Sequence, residues 1–184
     1  ISEGCDPSCS FCAIPLMRGL HRSSPVEELV REAQALEGQG VKELNIISQD
    51  TTWYGRDRKR QGEGEGLLPD LLRALLDDTD IPWFRLFYMY PSGINRKLVH
   101  FLAGEPRILP YLDMPLQHGS DRILKAMRRP ERKRTIRERV RWLREAIPGL
   151  TLRTTVIVGF PGETQEDFQE LLDLLEELRF DRVG

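Results

Sequence analysis

Short runs of aliphatic and β-branched residues alternate along this chain with longer stretches whose apolar positions recur every three to four residues. Glu43-Leu44-Asn45-Ile46-Ile47-Ser48 is too short for a helix of its own and reads as a buried strand. Residues 83–90, 111–114 and 152–158 have the same character, the last most clearly. Helical spacing falls between them, over residues 25–38, 67–77 and 96–103, over two stretches from Asp121 broken near Pro130, and over 164–178. Ser24-Pro25-Val26-Glu27 combines an N-cap serine, a proline at the first helical position and a glutamate able to close a capping box. After Pro130, Ile136, Val140, Leu143 and Ile147 fall on one helical face. Near-continuous apolar strands alternating with amphipathic helices predict an α/β fold with a parallel sheet covered by helices. A doubly wound sheet and a β/α barrel both satisfy that pattern.

In either architecture ligands gather beyond the carboxyl ends of the strands. The loops that follow the predicted strands there are Gln49-Asp50-Thr51-Thr52-Trp53-Tyr54-Gly55, Tyr90-Pro91-Ser92, Pro115-Leu116-Gln117-His118-Gly119-Ser120 and Gly159-Phe160-Pro161-Gly162-Glu163-Thr164. Residues 56–66 are glycine-rich and charged, which predicts a mobile surface loop.

Length adds a boundary: 184 residues with 40% hydrophobic content suit one domain with a sizeable core. No apolar run approaches the roughly 18 residues of a membrane span, and no signal peptide is present, so a cytoplasmic setting is expected. The chain starts at Ile1 without a methionine and stops at Val183-Gly184 as if another strand were beginning, which suggests an excised domain. A net charge of -2 conceals an asymmetry, because residues 122–144 hold eleven Lys/Arg against Glu131 and Glu138, about +9. Such a window suits either the charged outer helix of a barrel or the phosphates of a nucleic acid.

The chemistry concentrates at the start. All three cysteines lie within eight residues, Cys5, Cys9 and Cys12, in a CxxxCxxC run. Thiolates so close on a short loop can converge on one soft metal centre, whereas zinc patterns usually pair two close cysteines with a distant second pair. Three ligands on a [4Fe-4S] cube leave one iron without a protein ligand, open to substrate or cofactor. A zinc site completed by His21, or inert buried thiols, are the plainer alternatives. In the loop after residues 152–158, Gly159 and Gly162 would let a ligand approach backbone, and Thr164 with Asp167 can cap the next helix. Gln117 and Ser120 stand where polar contacts to a ligand are reasonable, although Ser120 could equally be an N-cap and His118 a hydrogen bond at a helix start. Asp50 could shape a turn at a strand end, His100 reads as structural, and Tyr88 and Tyr90 belong either to the core or to a barrel mouth.

The CxxxCxxC run with Phe11 before its last cysteine resembles the radical S-adenosylmethionine superfamily. That resemblance implies a partial (β/α)6 barrel of about six strands. It also implies that Cys5, Cys9 and Cys12 hold a [4Fe-4S] cluster whose fourth iron takes the amine and carboxylate of S-adenosylmethionine. An electron into the sulfonium would then release methionine and a 5′-deoxyadenosyl radical. Ile1-Ser2-Glu3-Gly4-Cys5, Met17-Arg18-Gly19, Gln49-Asp50-Thr51-Thr52-Trp53-Tyr54-Gly55, Met114-Pro115-Leu116-Gln117-His118-Gly119-Ser120, Met127-Arg128-Arg129-Pro130 and Gly159-Phe160-Pro161-Gly162-Glu163-Thr164 together are similar to the methylthiotransferase branch, across essentially the whole chain. Gln49-Asp50-Thr51-Thr52 resembles its members that modify the β-carbon of an aspartate on ribosomal protein twelve of the small subunit. Members acting on transfer RNA usually carry an asparagine-containing sequence there.

By position, the resemblance implies that Phe11, Asp50, Gln117, Ser120, Gly159 and Glu163 form the cofactor pocket. The expected partners are that ribosomal protein on the assembling ribosome and a flavodoxin or ferredoxin as electron donor. Members of the branch also carry an N-terminal domain with three more cysteines for a second [4Fe-4S] cluster and a C-terminal TRAM domain. Neither is expected within these residues, so cofactor cleavage without completed methylthiolation is expected of them alone.

Overall fold

A computed structural model describes residues 1–61 and 67–184 of the chain. Two short strands, β1 (Ser2–Glu3) and β2 (Arg22–Ser23), pair antiparallel and enclose the cysteine run and helix α1 (Ile14–Arg18). Helix α2 (Val26–Gly38) leads to β3 (Glu43–Ile46), followed by a 3-10 turn (Thr51–Trp53), α3 (Arg56–Gln61) and α4 (Leu68–Asp78). Next come β4 (Trp83–Leu86), a second 3-10 turn (Pro91–Gly93), α5 (Arg96–Gly104), β5 (Ile108–Asp113), α6 (Asp121–Ala126) and α7 (Lys133–Ala146). The described chain closes with β6 (Thr151–Thr154), α8 (Gln165–Leu178) and β7 (Arg182–Val183).

Strands β3 to β7 form one parallel sheet in the order of the sequence. That order decides between the two predicted architectures. A doubly wound sheet reverses direction at a switch point, whereas right-handed crossovers that always step the same way keep every helix on one face and curl the sheet. Successive helices accordingly pack on one another, α2 on α4, α5 on α7 and α7 on α8. Five strands of the about six expected form this partial barrel within the described residues.

Helix α4 shows why the elements dock where they do. Its Leu68, Leu71, Leu72, Leu75 and Leu76 repeat at helical spacing and are all buried. Each leucine removed from water stabilises the fold by about 1.5–3 kcal/mol. On the sheet, Phe84, Leu86, Leu112 and Leu152 join the same core.

Several local expectations change. Pro25, not Ser24, is the N-cap of α2, and no side chain caps it, so the anticipated capping box does not form. The box at Thr164 and Asp167 does form on α8. Strand β4 stops at Leu86 because Tyr88 takes the left-handed conformation, φ 53°, which ends the extended run. Strand β6 ends at Thr154, with only an isolated bridge from Val156 to Gln117 beyond it. Residues 56–61, part of the predicted loop, are helical in α3, and residues 62–66 lie outside the described residues.

The basic window belongs largely to ion pairs. Arg122 pairs with Asp167, Lys133 with Glu170 and Arg137 with Glu177, all on α8, while Arg144 donates to the carbonyls of Leu178 and Arg179. Much of its charge is therefore locally balanced, as a solvated outer helix requires. Among the described residues no helix is long and apolar enough to cross a membrane.

Candidate functional site

The cysteine run is held to the barrel by its backbone. Cys5 N donates to Gly19 O at 3.1 Å, Cys12 N to Cys9 O at 3.1 Å and His21 N to Asp6 Oδ1 at 2.9 Å, folding the run into a closed loop. Gly4 is required there: its φ is +73°, and a β-carbon would meet Leu20 O at 2.2 Å. Ser10 fastens the loop to the end of α6, its N–H donating to Met127 O at 3.1 Å and its hydroxyl to Ala126 O at 3.0 Å. Cys5 and Cys9 are buried and Cys12 is half-buried, all as free thiols.

This loop covers a cavity of about 630 Å³ at the carboxyl ends of the strands, within the range of roughly 300–1,000 Å³ usual for small-molecule sites. Its wall follows the sheet: Ser48 and Gln49 after β3, Tyr88 and Tyr90 after β4, Pro115 and Gln117 after β5, and Arg153 and Thr155 at the end of β6. Cys5, Phe11 and Cys12 complete the lining. Clefts of similar size lie between α4 and α5, where His100 is found, and around β2, but neither borders the cysteines. Two of the wall residues, Tyr88 (φ 53°) and Gln117 (φ 70°), adopt a left-handed backbone that such side chains rarely take. Strain of this kind concentrates where a site needs a side chain aimed inward.

Of the residues singled out by sequence, Phe11, Tyr88, Tyr90 and Gln117 reach the cavity wall together with Cys5 and Cys12. The others do not line that wall. Asp50 Oδ1 accepts from Thr52 N–H at 3.0 Å and Thr52 Oγ1 at 2.7 Å, which is the turn at a strand end. Ser120 caps nothing with its side chain; its hydroxyl donates to Asp167 Oδ1 at 2.6 Å, tying the loop after β5 to α8. Asp167 also receives Thr164 and Arg122, and these hydrogen bonds, with Arg122 foremost, hold its carboxyl well below the usual range. Glu163 Oε2 accepts from Phe160 N–H at 2.9 Å and its other oxygen lies 3.7 Å from His118 Nε2, so it closes its own loop. His118 Nδ1 accepts from Ser120 N–H at 2.9 Å, the helix-start bond anticipated for it, and burial lowers its affinity for a proton. Gly159 takes φ +73° with open space where a side chain would stand; the segment before it runs beside Gln117, whose carbonyl accepts from Ile157 N–H at 2.7 Å.

Two features escaped the sequence reading. Arg153 brings a cation to the cavity wall, oriented by Asp113 at 3.0 Å. Arg129 lies fully buried beside Tyr90 and Cys9, paired with Glu131. An arginine in a run of arginines carries no local signal that it alone points inward.

Donor chemistry tests which group the loop fits. Among the described residues no three His, Cys, Asp or Glu side chains are grouped for a single metal ion. His21, the candidate fourth zinc ligand, is engaged with Ser23 at 3.1 Å in the cleft around β2. The three thiols are thus not drawn onto one point, and it is their softness and number that suit an iron–sulfur cube. Burial, with Asp50, Cys9 and Cys12 nearby, pushes the Cys5 thiol up to about 12. Such a sulfur becomes a thiolate only when a cationic centre compensates it.

Asp50 offers a separate measurement. Burial raises its carboxyl from 3.8 to about 6 against the hydrogen bonds that lower it, and Oδ2 has no hydrogen-bond partner among the described residues. The native state therefore holds this proton more tightly than the unfolded chain. The resulting stability is fully present below pH 3.8 and disappears as pH rises through about 6. In the metal-free protein, Asp50→Asn is expected to gain about 2 kcal/mol on wild type between pH 4 and pH 7.5. Urea unfolding at the two pH values measures it, and a constant difference would show that Asp50 does not titrate there.

A curled parallel sheet with a three-thiol loop over its strand ends defines a radical S-adenosylmethionine domain. Residues 1–175 match the Radical SAM superfamily model, and the chain belongs to that superfamily, whose members imply a [4Fe-4S] cluster and S-adenosylmethionine. The chain is 50% identical to the ribosomal protein uS12 methylthiotransferase RimO of Symbiobacterium thermophilum and 53% identical to that of Pelobacter propionicus, over its whole length. It spans 37% and 40% of those two proteins. Among solved structures it resembles the cobalamin-dependent S-adenosylmethionine radical enzyme OxsB, with TM-score 0.73 and 17% identity over 95% of this chain and 25% of that one. It also resembles coproporphyrinogen III oxidase (HemN) from Escherichia coli, with TM-score 0.58 and 20% identity over 78% of this chain and 31% of that one. At those identities the likeness is one of fold.

Proposed function

We propose that these residues are the radical-generating core of a methylthiotransferase that acts on the β-carbon of an aspartate of ribosomal protein uS12. The observation that carries this reading is the cysteine loop seated over a strand-end cavity, in a chain about half identical throughout to proteins named for that activity. Cys5, Cys9 and Cys12 hold the [4Fe-4S] cluster. When bound, the cluster and S-adenosylmethionine supply reductive cleavage of a sulfonium.

The protein's own residues bind, orient and exclude water. Phe11 shields the loop, Gln117 offers its amide to the cofactor's polar groups, and Arg153 faces carboxylate or phosphate-like charge. Asp50, Ser120 and Glu163 hold the strand-end loops in place, and Gly159 leaves backbone open to the cofactor. With three cysteines, the sequence provides for one such cluster; a second [4Fe-4S] cluster, and completed methylthiolation, belong to the longer enzyme. A flavodoxin or ferredoxin in the cytoplasm supplies the electron, and uS12 is met on the assembling ribosome.

The test has two stages. Reconstituted anaerobically and reduced, this chain is expected to release 5′-deoxyadenosine from S-adenosylmethionine. The longer enzyme is expected to methylthiolate uS12 and not transfer RNA. Product on transfer RNA alone would reassign the substrate, and no 5′-deoxyadenosine would remove the radical reading.

A further inference from the structure

Helix α6 ends at Ala126, and Arg128 then turns the chain through a left-handed conformation, φ 59°. The turn is closed by Arg129 N–H donating to Leu124 O at 2.8 Å, and the cysteine loop docks on it through Ser10. Arg129 is thereby sent inward. Only 2% of it is exposed, and among the described residues it is the one buried lysine or arginine.

Its guanidinium carbon stands over the Tyr90 ring, 3.9 Å from the centroid, and Nη2 donates to Pro115 O at 3.3 Å, both residues of the cavity wall. Nε stands 3.0 Å from Glu131 Oε2 but off the line of a hydrogen bond, and among the described residues Nη1 makes no well-aligned hydrogen bond. Glu131 is equally buried and takes a hydrogen bond from Ser92 at 2.9 Å through its other oxygen. Burial works against the charge on Arg129, yet Glu131, Tyr90 and Cys9 hold the guanidinium above its usual range. Cys9 thus lies within reach of its field.

A buried ion pair with unused hydrogen-bonding capacity is a poor way to stabilise a core, since apolar replacements of similar volume are often as stable or better. Here the charge lies within electrostatic reach of Cys9, whose loop is docked on the same turn through Ser10. Reduction adds an electron to a group held by that cysteine, and a fixed cation in a low-dielectric surrounding favours the more negative state. Outer groups of this kind commonly tune metal sites. Resting on the reading of Cys9 as a cluster ligand, we infer that Arg129 is a positioning residue whose permanent charge raises the reduction potential of the cluster and makes it reducible by a biological donor.

EPR-monitored redox titration of the anaerobically reconstituted chain tests this, with dithionite supplying the electron. Arg129→Gln is expected to shift the reduction equilibrium at least tenfold toward the oxidised state, about 59 mV for one electron. Arg129→Lys, which keeps the charge, is expected within threefold of wild type. The double variant Arg129→Gln/Glu131→Gln removes both charges without stranding either, so it keeps the measurement possible if the single variant does not fold; it is expected between Arg129→Gln and wild type. A wild-type potential in Arg129→Gln or in the double variant would overturn the inference. So would a lysine variant as low as the glutamine one, which would assign the effect to packing. Absence of any [4Fe-4S] signal from wild type would instead remove the ligand reading beneath it.

Discussion

Replacing Cys5, Cys9 or Cys12 singly with alanine is expected to reduce bound iron from about four atoms per chain to below one. The expectation follows from how few donors are available. The three cysteines are the only ones in the sequence, and among the described residues no three His, Cys, Asp or Glu side chains, the cysteines included, are grouped for a metal ion. A cube that already leaves one iron to an outside ligand would have two irons without protein ligands after any such change. Cys5 and Cys9 are buried, so the loss cannot be repaired by a neighbouring surface group. Iron analysis and visible charge-transfer absorption after anaerobic reconstitution measure the effect, with thermal unfolding of the metal-free variants as the control for folding. Retention of full iron by any one variant would show that this cysteine is not a ligand.

Glu131→Ala is expected to destabilise the metal-free protein by about 3–5 kcal/mol. Arg129 and Glu131 both have fully buried side chains, 3.0 Å apart. Removing the carboxylate leaves a guanidinium that can neither lose its proton nor reach water. Ser92 loses its acceptor at the same time. Removing both charges is a different experiment: Arg129→Met with Glu131→Leu is expected within about 1 kcal/mol of wild type, or above it, because no uncompensated charge remains. Urea unfolding of the two variants separates these cases. Similar destabilisation in both would mean that shape, and not charge, governs this part of the core. A stable apolar double variant would also place the value of the pair in function, in agreement with the proposed effect on cluster potential.

Much of the fold was legible because its signals are local. Leucines at helical spacing in residues 67–77 predicted α4, and the run from Glu43 predicted β3, since both elements bury a face whose period the sequence displays. Ends were less legible. Tyr88 leaves the strand because the cavity wall needs it turned, and nothing in a tyrosine between Phe87 and Met89 announces a left-handed backbone. Ser24 looked like a cap, but the chain passes from β2 into α2 in a direction that leaves its side chain out of the first turn.

For the site, the sequence alone determined the cysteine run and the neighbouring loops, because ligand spacing and strand-end glycines are properties of consecutive residues. Tertiary structure decided which of those loops touch one another. It set Phe11 and Gln117 at the cavity wall, tied Asp50, Ser120 and Glu163 into hydrogen bonds of the strand-end loops, and drew Arg153 to that wall and Arg129 beside Cys9. Strand order settled the barrel against the doubly wound sheet, since both satisfy the same alternation and differ only in which strands pair. Arg129 marks the boundary most sharply. Within a window of eleven basic residues its type and spacing are those of a surface charge, and only the turn after α6 carries it into the core beside Cys9.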